Sequence, residues 1–165
     1  MKLKFLLDYT DSPLWANDAA TESKFGYNIT DLAGLGLKPD TIDQIHLMME
    51  MFGEMLNPVY QGYPSFWSGR MFALFQRFAN KVYQQLLDEL GESVEVENRE
   101  KAFLTEPIEV EKIDMELLMF LADPAKFSDE NGVVYGSKEA LKLDVDAAYG
   151  VWVEKEMGWV EVLQS

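Results

Sequence analysis

The chain has 165 residues, of which 48% are hydrophobic and 13% aromatic, so it is too apolar for a disordered protein and has the size of one domain. Its 29 acidic and 14 basic residues leave a net charge of −15, which excludes conventional binding to nucleic acid and to anionic membranes. The absence of cysteine excludes disulfides, zinc–thiolate sites and cysteine nucleophiles. Asp8 interrupts the apolar start before a secretory signal is complete, and we therefore expect a cytoplasmic protein with a single domain over residues 1–165.

The N-terminal part, residues 1–91, is predicted to be mainly helical, with a short extended lead-in. Residues 2–8 indicate a strand or an extended segment. Residues 14–37 have no sustained hydrophobic period, and they predict a long loop with a helical turn or two that is pinned by aromatic side chains.

Two helices are predicted after this loop. Apolar residues at every third or fourth position predict a first helix that begins near Pro39 and is stopped at Asn57. A longer helix follows, with Ser65 or Ser68 as its N-terminal cap and Gly91 as its C-terminal cap. The two are expected to form an antiparallel pair.

The C-terminal part, residues 92–165, is predicted to be mainly strand. Alternation with period two over residues 93–97 and 107–111 predicts two half-buried strands. A turn at residues 130–132 leads into a further extended segment, and residues 151–163 predict a hairpin that reverses near Gly158.

Short helices are predicted within this part as well, capped by Asp114 and by Ser137. The fold class is therefore predicted to be α+β, with an antiparallel helix pair from the N-terminal half packed on a small antiparallel sheet from the C-terminal half.

Acidic residues are concentrated between residues 88 and 116, where eleven acids face only three bases. Glu95 and Glu97 share one face of the first predicted strand, and Glu109 and Glu111 share one face of the second. Pairing of these strands would align the four carboxylates in a ridge. Such a ridge is a solvated face that aids solubility, a contact surface for a basic partner, or, with less support, a metal site.

Little in the sequence points to catalysis. His46 is the single histidine, so a catalytic triad or a histidine-rich metal site cannot be built. Asp144 and Asp146 have the spacing of ligands for hard cations, but the rest of a calcium-binding loop is missing. We predict no catalytic residue, no metal and no cofactor. Tyr63 and Trp67 crowd one loop, where they either staple the loop to the core or project as interface anchors.

The first 100 residues resemble a known type of protein. The resemblance rests on motifs such as Pro13-Leu14-Trp15, Phe25-Gly26-Tyr27, Tyr63-Pro64-Ser65-Phe66-Trp67 and Glu89-Leu90-Gly91. Over residues 5–100 the chain resembles small acidic bacterial proteins of uncharacterised function, some of which are immunity proteins for polymorphic or contact-dependent toxins. The resemblance implies binding rather than turnover and carries over no catalytic residues.

These observations favour a non-catalytic immunity protein that neutralises a basic, nuclease-like toxin. The predicted partner-binding residues are Glu95, Glu97, Glu109, Glu111, Asp114 and Glu116, with Tyr63 and Trp67 as candidate anchors. Two alternatives remain open: a DNA-mimicking inhibitor of restriction or CRISPR enzymes from a phage or mobile element, and a hydrolase that uses carboxylates. The oligomeric state and the identity of the partner are left open.

Overall fold

A computed structural model describes residues 1–127 and 136–165, and within them the fold is α+β, as predicted. The strands are β1 (Lys2–Phe5), β2 (Leu14–Ala16) and β3 (Glu95–Asn98). The helices are α1 (Ala19–Phe25), α2 (Pro39–Gly53), α3 (Gly69–Leu90), α4 (Lys101–Thr105), α5 (Val110–Ala122) and α6 (Lys138–Gln164), with a 3₁₀ turn at Pro124–Phe127.

The chain divides into two compact units that alternate along the sequence. Unit 1 comprises Met1–Gly53 and Gln76–Glu106, and unit 2 comprises Glu54–Phe75 and Pro107–Ser165. Helix α3 therefore begins in unit 2 and ends in unit 1. The assignment of one domain stays a prediction.

The sheet lies in unit 1, and its position corrects the predicted architecture. The strand order is β2-β1-β3, with β1 antiparallel to β2 and parallel to β3, so the sheet is mixed and two of its strands come from the first 16 residues. Leu3 and Phe5 point from β1 into the core and are fully buried, whereas Lys2 and Lys4 lie opposite Glu95 and Glu97 of β3. The prediction of a small antiparallel sheet formed by the C-terminal half was therefore wrong.

The segment predicted as a long loop contains β2 and α1. Trp15 is part of β2, is 8% exposed, and donates a hydrogen bond from Nε1 to the Leu6 carbonyl (3.2 Å). The Asp18 carboxylate accepts a hydrogen bond from the Thr21 amide (2.7 Å) and so caps α1. The pinning of this region by aromatic side chains is confirmed for Trp15, which also meets Tyr27 edge to face.

The boundaries of α2 and α3 agree closely with the predicted helices. Helix α2 begins at Pro39 as predicted but ends at Gly53, four residues before Asn57. Helix α3 is capped by Ser68, whose Oγ accepts from the Met71 amide (3.1 Å), and it ends at Leu90 before Gly91, which has φ of +71°. The antiparallel pairing of the two helices is not confirmed.

The start of α2 is held by a carboxylate from the end of α3. Glu89 accepts hydrogen bonds from the Lys38 amide (2.8 Å) and from Thr41 Oγ1 (2.7 Å). Burial raises the pKa of Glu89, but these two hydrogen bonds and the positive charge of Lys38 outweigh it, so the pKa lies below its ordinary value of 4.5. Glu89 thus acts as an N-terminal cap supplied from another helix.

We expect Glu89→Gln to lower the free energy of unfolding by about 1 kcal/mol at pH 7, because the variant loses the charge that faces the helix start. A lowered native pKa means that this stabilisation is present above the unfolded pKa and is lost as the pH falls through the native pKa. The difference between wild type and variant should therefore shrink below about pH 4.5 in urea titrations. Asp88→Asn, at the neighbouring exposed acid, is the control, and an equal loss there would contradict the capping role.

The C-terminal third is helical, which corrects three predictions. Residues 107–111 are not a strand, because α5 begins at Val110. The hairpin predicted over residues 151–163 lies inside α6. The helix predicted from Ser137 is confirmed at its start, where the Ser137 hydroxyl accepts from the Ala140 amide (3.0 Å), but it runs on to Gln164. The turn at 130–132 and the extended segment after it lie outside the described residues.

The physical reason for the long helix is the spacing of its buried side chains. Leu141, Val145 and Trp152 are the buried residues of α6, at intervals of four and seven, which is the repeat of a helix and not of a strand. Valine and tryptophan favour strands only weakly, so this burial pattern over 27 residues outweighs their preference. Gly158, which resembled a turn, is accommodated within the helix.

Unit 2 has an aromatic core centred on Trp67. This side chain is fully buried, and its ring lies 5.2 Å from Phe72, 5.1 Å from Phe75 and 6.2 Å from Trp152. Such ring pairs contribute beyond the area that they bury. Trp67 therefore joins the start of α3 to α6 within this unit.

Candidate functional site

Glu95 and Glu97 lie on the exposed face of β3, as the alternation predicted. Both are exposed, while Val96 between them is half-buried. Glu95 forms an ion pair with Lys2 (3.1 Å), and Glu97 pairs with Arg99 (2.9 Å) and accepts a hydrogen bond from Asn17 (3.0 Å). These carboxylates are therefore partly neutralised by their own chain, although exposed ion pairs of this kind exchange readily.

The four other predicted acidic site residues lie in α5 or directly before it, and not on a strand. Glu109 precedes the helix and pairs with Lys112 (3.1 Å), and both side chains are about two-thirds exposed. The hydrogen bond with Glu109, then its charge and that of Glu116, raise the pKa of Lys112. A shallow groove of about 460 Å³ is lined by Ile108, Glu109, Val110, Glu111 and Lys112.

Asp114 has a structural task that its sequence position did not indicate. It was predicted to cap a short helix of its own, but it lies within α5, and its Oδ1 accepts a hydrogen bond from the Gly69 amide at the start of α3 (2.7 Å). A carboxylate at a helix N-terminus is stabilised by the helix dipole. Asp114 is half-buried, and its carboxylate is engaged in packing α5 against the start of α3 within unit 2.

Glu111 and Glu116 are the exposed acids of α5 itself. Within residues 1–127 and 136–165, neither carboxylate makes a hydrogen bond or an ion pair at contact distance, although Glu116 acts electrostatically on Lys112 one turn away. They are consequently the two predicted site residues whose charge is least compensated by a direct contact.

The predicted ridge of four glutamates is not built as expected. Its geometry required a strand over residues 107–111, and the helical residues of α5 begin within that range. Glu95 and Glu97 belong to unit 1, and Glu109 and Glu111 belong to unit 2. One pair of these acids therefore lies on β3 of unit 1 and the other at the start of α5 in unit 2.

The two candidate anchors are packed inside unit 2. Trp67 is fully buried, and Tyr63 is 5% exposed, with its ring 5.2 Å from Phe120. The stapling interpretation of the loop fits this burial, because an anchor presents its ring to a partner. The proposed toxin-binding surface therefore includes neither residue.

A comparison with protein families identifies the chain. Residues 1–101 match the model of the Serratia CdiI immunity protein-like family. The chain belongs to this family. It accordingly has an immunity function in a toxin–immunity system, which agrees with the resemblance seen over residues 5–100. No curated protein matches the chain.

The candidate residues of this immunity protein lie partly inside and partly outside the matched range. Residues 1–101 contain the whole sheet and α1 to α3, and therefore Glu95, Glu97, Tyr63 and Trp67. Helices α5 and α6 lie beyond residue 101, together with Glu109, Glu111, Asp114 and Glu116. The acids of β3 are thus carried by the part that the family model describes.

The part of the chain that the structure describes offers this immunity protein no clustered metal ligands. It contains no group of three or more histidine, aspartate or glutamate side chains arranged to hold a metal ion. His46 is exposed on α2, and Asp144 and Asp146 lie along α6. No helix among residues 1–127 and 136–165 combines the length and the apolar character that a bilayer crossing requires.

Sequence reasoning missed one feature of the surface. Met115, Leu118 and Met119 of α5 are between 57% and 67% exposed, although they are large apolar residues. The signal was present in the run from Met115 to Ala122, which is apolar at almost every position and so has no polar face.

Proposed function

We propose that this protein is a non-catalytic inhibitor that binds a basic, nuclease-like toxin and blocks its active site in the cytoplasm. The family supports binding to a toxin, and the net charge of −15 supports a basic partner. Glu95 and Glu97 on β3 carry the proposal, because they are exposed and lie within the part of the chain that the family model matches.

The proposed mechanism is competition for phosphate-binding cations. A nuclease holds its substrate with lysine and arginine side chains, and carboxylates placed on these cations exclude the nucleic-acid backbone. The ion pairs of Glu95 with Lys2 and of Glu97 with Arg99 are exposed, so a toxin cation can replace the internal partner at little cost. Long-range attraction by the remaining charge accelerates the encounter.

Co-expression tests the immunity function directly. The C-terminal domain of the protein encoded immediately upstream of this gene is tested as the toxin, and it is produced in a bacterial host with and without this chain. We expect growth to be rescued and the two proteins to co-purify. Failure of both rescue and co-purification would overturn the proposal, and a gene position within a phage early operon would favour the decoy alternative.

Charge reversal tests the surface. The double variant Glu95→Lys and Glu97→Lys should slow association with the toxin domain by about tenfold at low salt, and the effect should fade at high salt. Asp43→Lys with Glu50→Lys, on exposed positions of α2, changes the net charge equally and is the matched control. Association rates that are insensitive to salt, or an equal slowing in both double variants, would refute a contact at β3.

A further inference from the structure

Helix α5 is apolar on both of its faces, and among residues 1–127 and 136–165 only one face is covered. Leu117 and Phe120 are buried, at 6% and 0% exposure. Met115, Leu118 and Met119 point the other way and are 63%, 67% and 57% exposed. A helix with apolar residues on all sides is normally buried on all sides, so the second face is built as if a further surface packs on it.

The exposed residues form one continuous strip, here called the α5 stripe and consisting of Met115, Leu118 and Met119. Their spacing of three and four residues places them side by side on one helix face. Methionine is flexible and adapts to irregular partner surfaces. The exposed large apolar residues of α6 are further apart, since successive ones are separated by eight, six and five positions, and they make no such strip: Leu143, Val151, Met157 and Val162.

Carboxylates border the α5 stripe and indicate what it binds. Glu111 lies one turn before Met115, and Glu116 follows it directly, and neither is paired at contact distance within the described residues. Lys112 is the one base of α5 on this side, and its charge is paired with that of Glu109. Apolar side chains bordered by acids fit a surface of opposite pattern, with apolar side chains bordered by lysine or arginine. A second copy of this chain would instead bring two molecules of charge −15 together.

Resting on the proposed toxin-binding function, we propose that the α5 stripe is a docking surface for the toxin, and that it takes a toxin segment whose apolar side chains are flanked by basic ones. This surface lies beyond the part of the chain that the family model matches. The apolar contacts hold the complex together, and Glu111 and Glu116 orient the basic flanks. The two contributions are separable because only the second is screened by salt.

The double variant Leu118→Ser and Met119→Ser tests the apolar part. We expect its affinity for the toxin domain to fall about 30-fold at both low and high salt, mainly through faster dissociation, while its urea midpoint stays that of wild type. Leu143→Ser with Val151→Ser on α6 removes similar exposed side chains and should bind normally. Equal loss in both pairs, or no loss in the first, would overturn the proposal.

Glu111→Gln with Glu116→Gln tests the basic flanks of the toxin segment. We expect association to slow about fivefold at low salt and to equal wild type at high salt. An unchanged rate at low salt would contradict the assignment of basic flanks.

The same variants separate failure of the proposed function from failure of the docking surface alone. They also show whether something other than the toxin occupies the α5 stripe. If wild type neither binds nor neutralises the toxin domain, the proposed function fails; if it does both and the α5 variants do too, only the docking surface is wrong. Sedimentation equilibrium of the toxin-free protein should give a monomer. A dimer that Leu118→Ser with Met119→Ser dissociates would assign the stripe to a second copy, and a lower urea midpoint in this variant would assign it to the chain itself.

Discussion

Trp67→Ala is expected to lower the free energy of unfolding by about 4 kcal/mol, because it removes a fully buried indole from the centre of unit 2. The rings of Phe72, Phe75 and Trp152, which lie 5.1 to 6.2 Å away, would border a cavity that they cannot fill without leaving their packing. Urea titration followed by circular dichroism measures the loss, since the substitution itself removes a fluorophore.

Trp67→Phe is the informative companion to this variant. The Trp67 Nε1 atom is buried and has no hydrogen-bond partner among the described residues, so phenylalanine removes volume but breaks no hydrogen bond there. We expect a loss of about 1 to 2 kcal/mol, well below that of alanine. If Trp67→Phe instead keeps full stability and abolishes toxin binding, the residue is an interface anchor and the packing role assigned to it here is wrong.

Gly69→Ala is expected to destabilise unit 2 by about 2 kcal/mol, although alanine favours helices. A Cβ atom on Gly69 would clash with the Val110 carbonyl oxygen and would lie 2.5 Å from the Val110 Cα, and both are backbone atoms at the first residue of α5. Moving them costs about 3 kcal/mol and exceeds the helix-propensity gain of about 1 kcal/mol. It also disturbs the hydrogen bond from the Gly69 amide to Asp114.

Gly150→Ala is the matched control for this prediction. Gly150 is inside α6, and a Cβ atom there would have no neighbour within 4 Å. The gain in helix propensity should therefore stand alone and raise the free energy of unfolding by up to about 1 kcal/mol. Tryptophan fluorescence in urea suits both variants, because Trp67, Trp152 and Trp159 all belong to unit 2. If both substitutions change the free energy of unfolding in the same direction, the contact with Val110 does not determine the stability of Gly69→Ala.

Gly69 and Asp114 bear on function because together they hold α5 in place. Gly69 allows the start of α3 to approach the start of α5, and Asp114 of α5 in turn accepts the Gly69 amide proton. The same helix carries Glu111, Glu116 and the α5 stripe. Loss of packing at Gly69 should therefore also weaken toxin binding, whereas substitutions in the stripe should affect binding alone.

The candidate site was only partly predictable from the sequence. The exposure of Glu95 and Glu97 followed from alternation on a strand, and this prediction is confirmed. Their ion pairs with Lys2 and Arg99 were not foreseen, because Lys2 reaches Glu95 only through a parallel pairing across 93 positions. The helical start of α5 was missed because five alternating residues matched a strand locally, while its helical spacing appears only over 13 residues.

The sequence by itself determined the charge of the molecule and those helix ends that local chemistry sets. Proline at the first turn of α2, the Ser137 cap of α6 and the glycine after α3 act within a few residues, so they can be identified without the fold. Only the tertiary structure decided how β1 pairs with β3, which of the acids are neutralised, and which face of α5 is left uncovered. Pairing and burial depend on residues far apart in the chain, and no local pattern records them.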